Sequence, residues 1–331
     1  VATQNMSIAK AITAGLRRVL ETHEKSLIMG EDVGRLGGVY RVTEGLQADF
    51  GTDRVIDSPL AESGIVGTAI GMTMRGYLPV CEIQFDGFIF PAFNQITTQL
   101  AKFRTRSAGR MSAPVVIRVP YGGGIGSIEH HSESPEALFA HTAGLRIITP
   151  SNPQDAYWMI QQAVECQDPV IVFEPKRRYW VKGEVDTDTD PGSPFTARVV
   201  REGTDATIVA YGPLVATALA AAEAAEEEGR SVEVVDLRSI SPIDFDTLVA
   251  SARKTGRMIV THEAPTFGGI GGEIAARVTE RAFLSLEAPI LRVGGFHMPY
   301  PVAKVEEEYL PDVDKLLTAL DELYTYEEPA S

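Results

Sequence analysis

The strongest constraint on the fold is the way the apolar runs are written. S-L-I-M-G (26–30), V-I-D (55–57), L-P-V-C-E-I-Q (78–84), P-V-V-I-R-V (114–119) and P-V-I-V-F (169–173) are continuous runs, not strict alternations. A run of that kind buries both of its faces. The stretches between them carry helical spacing, as at Ile8, Ile12, Leu16 and Leu20 behind the candidate N-cap Ser7. Buried strands alternating with helices predict a parallel sheet covered on both sides. Helices are expected over 64–75, 88–105, 136–141 and 154–165, with Pro91 near the start of the second, where proline is tolerated.

The pattern stops between 183 and 197, where G-E-V-D-T-D-T-D-P-G-S-P is acidic and aperiodic. We read that stretch as a linker between an α/β domain over 1–182 and a smaller α/β domain over 198–331. In the second domain strands are expected at 205–210, 232–237, 257–261 and 290–293, with helices between them and a last helix over 313–323. The tail from Tyr326 to Ser331 is expected to fray. A length of 331 residues fits two domains.

Charge narrows the partners. With 45 acidic and 30 basic residues the formal net charge is −15, which argues against nucleic acid. Two short basic clusters, 102–106 and 176–178, read as solvated helix ends or loops. The two cysteines, Cys81 and Cys166, make neither a disulfide framework nor a zinc pattern. No apolar run is long enough to span a membrane, and a cytoplasmic location is expected. Neither glycine-rich stretch, 122–126 or 268–272, completes a dinucleotide or phosphate-loop motif.

Three local features remain. Glu62 lies between a strand end and an apolar, glycine-studded helix; it is either a helix N-terminal acid or a site acid. His130-His131 follows a strand and a glycine loop that looks mobile, so it belongs at the carboxyl end of the sheet, where ligands bind. Phe88, Phe90 and Phe93 are either core or a wall for a flat ring, with Gln84 and Asp86 on the loop before them. His262 and His297 each end a strand; His141 and His23 read as structural or solvated. The turn 268–272 before a helix could hold an anion.

Six motifs occur in order: M-G-E-D-V-G (29–34), D-S-P-L-A-E-S-G-I-V-G (57–67), E-I-Q-F-D-G-F-I-F-P-A-F-N-Q (82–95), H-S-E-S-P-E (131–136), E-P-K (174–176) and H-E-A-P-T-F-G-G-I-G-G-E (262–273). Together they make the chain resemble the beta subunit of the thiamine-diphosphate-dependent, decarboxylating component of 2-oxo acid dehydrogenase complexes. The resemblance implies a pyrimidine-binding domain followed by a transketolase C-terminal-type domain. It also implies thiamine diphosphate shared with an alpha subunit in an alpha2-beta2 heterotetramer. The G-D-G signature that binds Mg2+ and the diphosphate belongs to that alpha subunit, and this sequence lacks it.

By the same resemblance, Glu62 contacts the aminopyrimidine ring nitrogen, which favours proton removal at the thiazolium carbon that attacks a 2-oxo acid. Phe88 stands where relatives often have a stacking tyrosine. Leu60, Gln84 and Glu31 match other positions of the pyrimidine pocket. His131 matches a histidine that holds the acyl group or assists its transfer to a lipoyl arm on the acyltransferase core. Glu133 replaces a common glutamine. A structural K+ would sit on backbone carbonyls near 113–116 and 163–168. The H-S-E-S-P-E stretch tilts the expected substrate to a branched-chain 2-oxo acid, with pyruvate or acetoin as alternatives. A non-catalytic assembly scaffold is the reading from another class.

Overall fold

A computed structural model describes residues 3–326. The expected fraying of the tail therefore lies, beyond Tyr326, outside the described residues. Among the described residues fourteen strands appear in chain order. They are β1 (Thr3–Ser7), β2 (Ser26–Gly30), β3 (Val55–Asp57), β4 (Leu78–Glu82), β5 (Val116–Tyr121), β6 (Arg146–Ile148) and β7 (Val170–Pro175). After them come β8 (Lys182–Asp186), β9 (Arg198–Arg201), β10 (Ala206–Ala210), β11 (Val232–Asp236), β12 (Ser239–Ser241), β13 (Met258–Pro265) and β14 (Leu291–Gly295). A seven-stranded sheet has the order β12-β6-β7-β5-β4-β2-β3, and a five-stranded sheet the order β14-β13-β10-β11-β9. Within each sheet the main strands run parallel, with one short antiparallel edge strand, β12 or β9.

Register explains why continuous apolar runs suit this arrangement. Ile147, Ile171, Ile117, Cys81, Met29 and Ile56 align across six strands of the larger sheet. They face one core, while Ile28, Val80, Val116 and Val170, one residue earlier on their strands, face the other. Successive side chains on a strand point to opposite faces, so a sheet covered twice needs both rows apolar. Ser7 caps the helix Ile8–Thr22 as the sequence indicates, its hydroxyl accepting from the Lys10 amide. Gly15 lets that helix press on the helix Pro153–Glu165, because a Cβ there would collide with Ile160 and the Tyr157 carbonyl.

Three expectations need correction. The single helix over 88–105 is broken: Asp86–Ala92 is a 3-10 segment containing Pro91, Gln95–Gln99 is a π turn, and only Phe103–Arg106 is α. Proline removes an amide donor and crowds the turn before it, which accounts for the 3-10 geometry of Asp86–Ala92, while the π turn and the 3-10 segment Leu100–Lys102 lie beyond its reach. The stretch 183–197 is not all linker, since β8 occupies its start and pairs with β1 in a two-stranded ribbon. Finally, β12 lies in the second half of the chain, yet it closes the edge of the first sheet against β6. The apolar core is continuous between the two halves, joining Tyr121 and Phe173 to Val209, Tyr211 and Leu237.

Candidate active site

Parallel register brings the candidate residues to one edge. Gly30 of β2 lies level with Asp57 of β3 and Glu82 of β4. Glu31 therefore leaves the sheet beside the loop 58–61 that leads to Glu62, and Gln84 leaves it next door. The Gln84 side-chain amide donates to the Glu31 carbonyl at 3.4 Å. Glu62 opens the helix Glu62–Thr73 and is buried. Burial first, then the nearby Glu62 and Asp32 carboxylates, pushes the Glu31 carboxyl above the usual range. Its Oε1 is buried without a hydrogen-bond partner among the described residues. Leu60 stands at the rim, 80% exposed.

Phe88 follows on the 3-10 segment and is half-buried. Its ring lies 5.2 Å from that of His131, edge to face, while Phe85 approaches the same histidine at 4.3 Å. The His130 ring is 4.3 Å from His131 on the other side. Burial, then the His130 and Lys176 charges, holds His131 below the ordinary histidine range, so the ring is neutral near pH 7. Its Nδ1 has no partner among the described residues. Beside this turn a cavity of about 280 Å³ opens between the two halves, lined by Glu133, Ser134, Phe267, His297 and Tyr300. Glu62 does not line it.

Beneath the edge lies a buried ion triplet. Arg118, 1% exposed, donates to Glu82 at 2.7 Å and to both oxygens of Glu174 at 2.7 and 2.9 Å. Tyr179 donates to Glu174 at 2.5 Å. The glycine loop that looked mobile is pinned from the second half. Glu263 accepts from the Gly123 amide at 2.9 Å and pairs with Arg177 at 2.7 Å. The two oxygens of Glu306 accept from the amides of Gly124 and Gly126, each at 2.9 Å. All three of Gly122, Gly124 and Gly126 have positive φ, and a Cβ on Gly122 would meet the Glu263 carboxylate.

Residues 4–181 match the pyrimidine binding domain of transketolase, and residues 196–316 its C-terminal domain. The pyruvate dehydrogenase E1 component subunit beta of Leifsonia xyli is 61% identical over 98% of this chain and 96% of its own. The chain belongs to the family of 2-oxo acid dehydrogenase E1 beta subunits. The 3-methyl-2-oxobutanoate dehydrogenase subunit beta of Mycobacterium tuberculosis is 50% identical over 96% of this chain and 92% of its own. A solved structure described as a split gene transketolase, an inactive beta4 tetramer, superposes with a TM-score of 0.80 at 24% identity. It covers 97% of this chain and 98% of that one, a likeness of fold.

Within this E1 beta chain the structure gathers Glu31, Glu62, Gln84, Phe88 and His131 along one sheet edge, with Leu60 at its outer rim. It also revises several readings. Lys176 of the 176–178 cluster is not solvated; it is 2% exposed and paired with Asp86. The motif E-P-K carried a hint, because a lysine straight after a buried strand has little room to reach water. The turn 268–272 does not offer its helix N-terminus to an anion, since the Gly271 amide donates to His262 Nε2 at 3.2 Å. His262 is fully buried, and burial pushes it down to about 4, so it is a neutral core histidine. His297 is exposed and stacks on Phe267 at 4.4 Å. Glu306 and Tyr300 gave no sequence signal, and Glu263 was visible only as part of the 262–273 motif, because all three act on a loop more than a hundred residues away. Among the described residues no group of three or more His, Cys, Asp or Glu side chains could hold a metal ion. No helix there is long and apolar enough to cross a membrane.

Proposed function

We propose that this chain supplies the pyrimidine half of a thiamine-diphosphate site and works with an alpha subunit. Together they would decarboxylate a 2-oxo acid and pass the acyl group to a lipoyl arm of an acyltransferase core. The observation that carries this reading is the row Glu31, Glu62, Gln84, Phe88 and His131 at one carboxyl edge. Two buried polar atoms there, Glu31 Oε1 and His131 Nδ1, have no partner within the described chain. A flat heterocycle with ring nitrogens and an amino group suits that donor and acceptor set. When bound, thiamine diphosphate supplies the carbanion and the electron sink.

The roles of the chain's own groups follow from their positions. Glu62 holds a proton at the pyrimidine ring nitrogen. Phe88 offers its face for stacking and Gln84 orients the ring's polar edge. Leu60 packs against the ring once the open rim is covered. His131, neutral near pH 7, would give or accept a hydrogen bond at the acyl oxygen and assist transfer to the lipoyl disulfide, whose S–S bond opens as one sulfur takes the acyl group and the other becomes a thiol. The diphosphate and Mg2+ belong to the alpha subunit, and a K+ would lie on the backbone near 113–116 and 163–168.

The favoured substrate is pyruvate, supported by the 61% identical relative against 50% for the branched-chain one. The second reading, a branched-chain 2-oxo acid, is favoured by the H-S-E-S-P-E stretch. Co-expression with an alpha subunit bearing G-D-G, followed by rates on pyruvate and on 3-methyl-2-oxobutanoate, separates them. In that complex Glu62→Gln should lower decarboxylation by about 10²–10⁴-fold without loss of assembly. Full activity in the variant would remove Glu62 from the chemistry and favour an assembly scaffold.

A further inference from the structure

The turn that carries His131 has only short-range bonds of its own, from the His131 and Ser132 amides to the Ile128 and Glu129 carbonyls and from the Ser132 hydroxyl to the Ser127 carbonyl. Glu129–His131 is a single 3-10 turn with no buried residue. Its further anchors reach it from elsewhere in the first sheet, the Gly122 amide donating to the Glu133 carbonyl at 3.0 Å among them. Lys176, just past β7, donates from Nζ to the His131 carbonyl at 2.5 Å. Asp86, just past β4, accepts from the Glu133 amide at 2.7 Å. Asp86 and Lys176 are hydrogen-bonded to each other, and both side chains are fully buried. One buried pair thus grips the backbone on both sides of Ser132. Gly87 adds a steric seat, because a Cβ there would collide with the His130 backbone.

We propose that the Asp86–Lys176 ion pair is a positioning device for His131, fixing where its imidazole stands and which charges it faces. The proposal rests on the function proposed above. Stability alone does not account for such a pair, since a buried ion pair is often no better than apolar side chains of the same volume. Here its remaining hydrogen bonds go to the main chain of the histidine turn. Lys176 also faces the histidine electrostatically. The charged or titratable groups around the His131 ring are Lys176 and His130, which disfavour its cation, and Glu129, which favours it. The other faces are the Phe85 and Phe88 rings. Asp86 meets the turn through the Glu133 amide and through Lys176.

The double variant Asp86→Asn with Lys176→Met tests this, because it leaves no unpaired buried charge. It is assembled with the alpha subunit and compared with wild type in three measurements. Carbethoxylation of His131 by diethyl pyrocarbonate, read by peptide mass spectrometry over pH about 5 to 8, reports the imidazole directly. Its midpoint should move up, towards the ordinary histidine value of about 6.5. Acylation of a free lipoyl domain should fall by about 10–100-fold, as misplaced groups do. Decarboxylation read with an artificial electron acceptor should stay near wild type. Lys176→Arg, which keeps the charge and a donor, should keep the wild-type midpoint and recover most of the acylation rate. An unmoved midpoint with unmoved acylation overturns the proposal. So does a loss shared equally by both activities with the midpoint unchanged, which marks a general structural role. Should the double variant fail to assemble, Asp86→Asn alone decides: selective loss of acylation supports the device, and wild-type acylation overturns it. Absence of 2-oxo acid decarboxylation in the wild-type complex would instead defeat the proposed function, and the midpoint of His131 would still be readable.

Discussion

The carboxyl edge of the larger sheet has two halves, and they are used in opposite ways. Around β5 and β6 the edge is turned towards the second domain and most of its polar groups are bonded to it, although one buried oxygen of Glu136 stays without a partner among the described residues. Tyr211 donates to Glu136 at 2.7 Å, Ser151 to Asp236 at 2.5 Å, and the glycine loop to Glu263 and Glu306. Around β2, β3 and β4 the edge faces outward. There Glu31 faces the like charge of Glu62 and keeps a buried oxygen without a donor. Leu60 is left exposed beside them. The first half is a clamp completed within one chain. The second half is an open edge, with two carboxylates side by side and Leu60 exposed next to them.

If that contrast is right, substitutions on the two halves should separate cleanly. The largest effect belongs to the outward half, where Glu62→Gln should abolish most activity while leaving stability within about 0.5 kcal/mol. Arg118→Met should act on both halves, because it strands Glu82 and Glu174 beneath them. A cost of about 3–5 kcal/mol in denaturant unfolding is expected.

Glu136→Gln probes the clamp. Burial pushes the Glu136 carboxyl up to about 7 and Asp236 likewise to about 7. Their contribution to stability is therefore complete below the ordinary carboxyl range. It is lost as pH rises through about 7, where the unfolded chain releases protons that the folded one retains. Unfolding free energy measured from pH about 4.5 to 8 should show this fall, and Glu136→Gln should remove about 3 kcal/mol of it. An unchanged slope in the variant would place the pH dependence elsewhere. The smallest effect is expected for Glu306→Gln, which leaves one oxygen to accept from a loop amide and sets an NH2 donor against the other, about 2 kcal/mol. Hydrogen exchange at Gly124 and Gly126 should rise first, before any change in global unfolding.

The sequence exposed the outward half well and the clamp poorly, for physical reasons. Continuous apolar runs dictated the parallel sheet; Glu62 stood out between a strand end and an apolar helix, and His131 beyond a strand and a glycine loop. Lys176 was hidden within K-R-R, a pattern that usually means a solvated face; only the strand before it shows that it is buried. Pro91 marks the irregular start of 88–105, while no local feature marks the π turn at Gln95–Gln99. Glu306, β8 and β12 left no local trace, and the 262–273 motif gave no sign of the contact that Glu263 makes. Their partners lie far away in the chain, and short polar strands such as Ser239–Ser241 have no apolar period to read.

That last strand has a consequence for synthesis. β6 is the edge of the first sheet until β12 arrives, and β12 is made more than ninety residues after β6. At about 5–20 residues per second a ribosome leaves the edge open for several seconds. A nascent chain in that interval presents an uncapped strand edge, the usual template for pairing with a neighbour. Truncation anywhere before residue 239 would make the interval permanent. The first domain is therefore a poor candidate for expression alone, and chimaeras cut at the 183–197 stretch would inherit the same open edge.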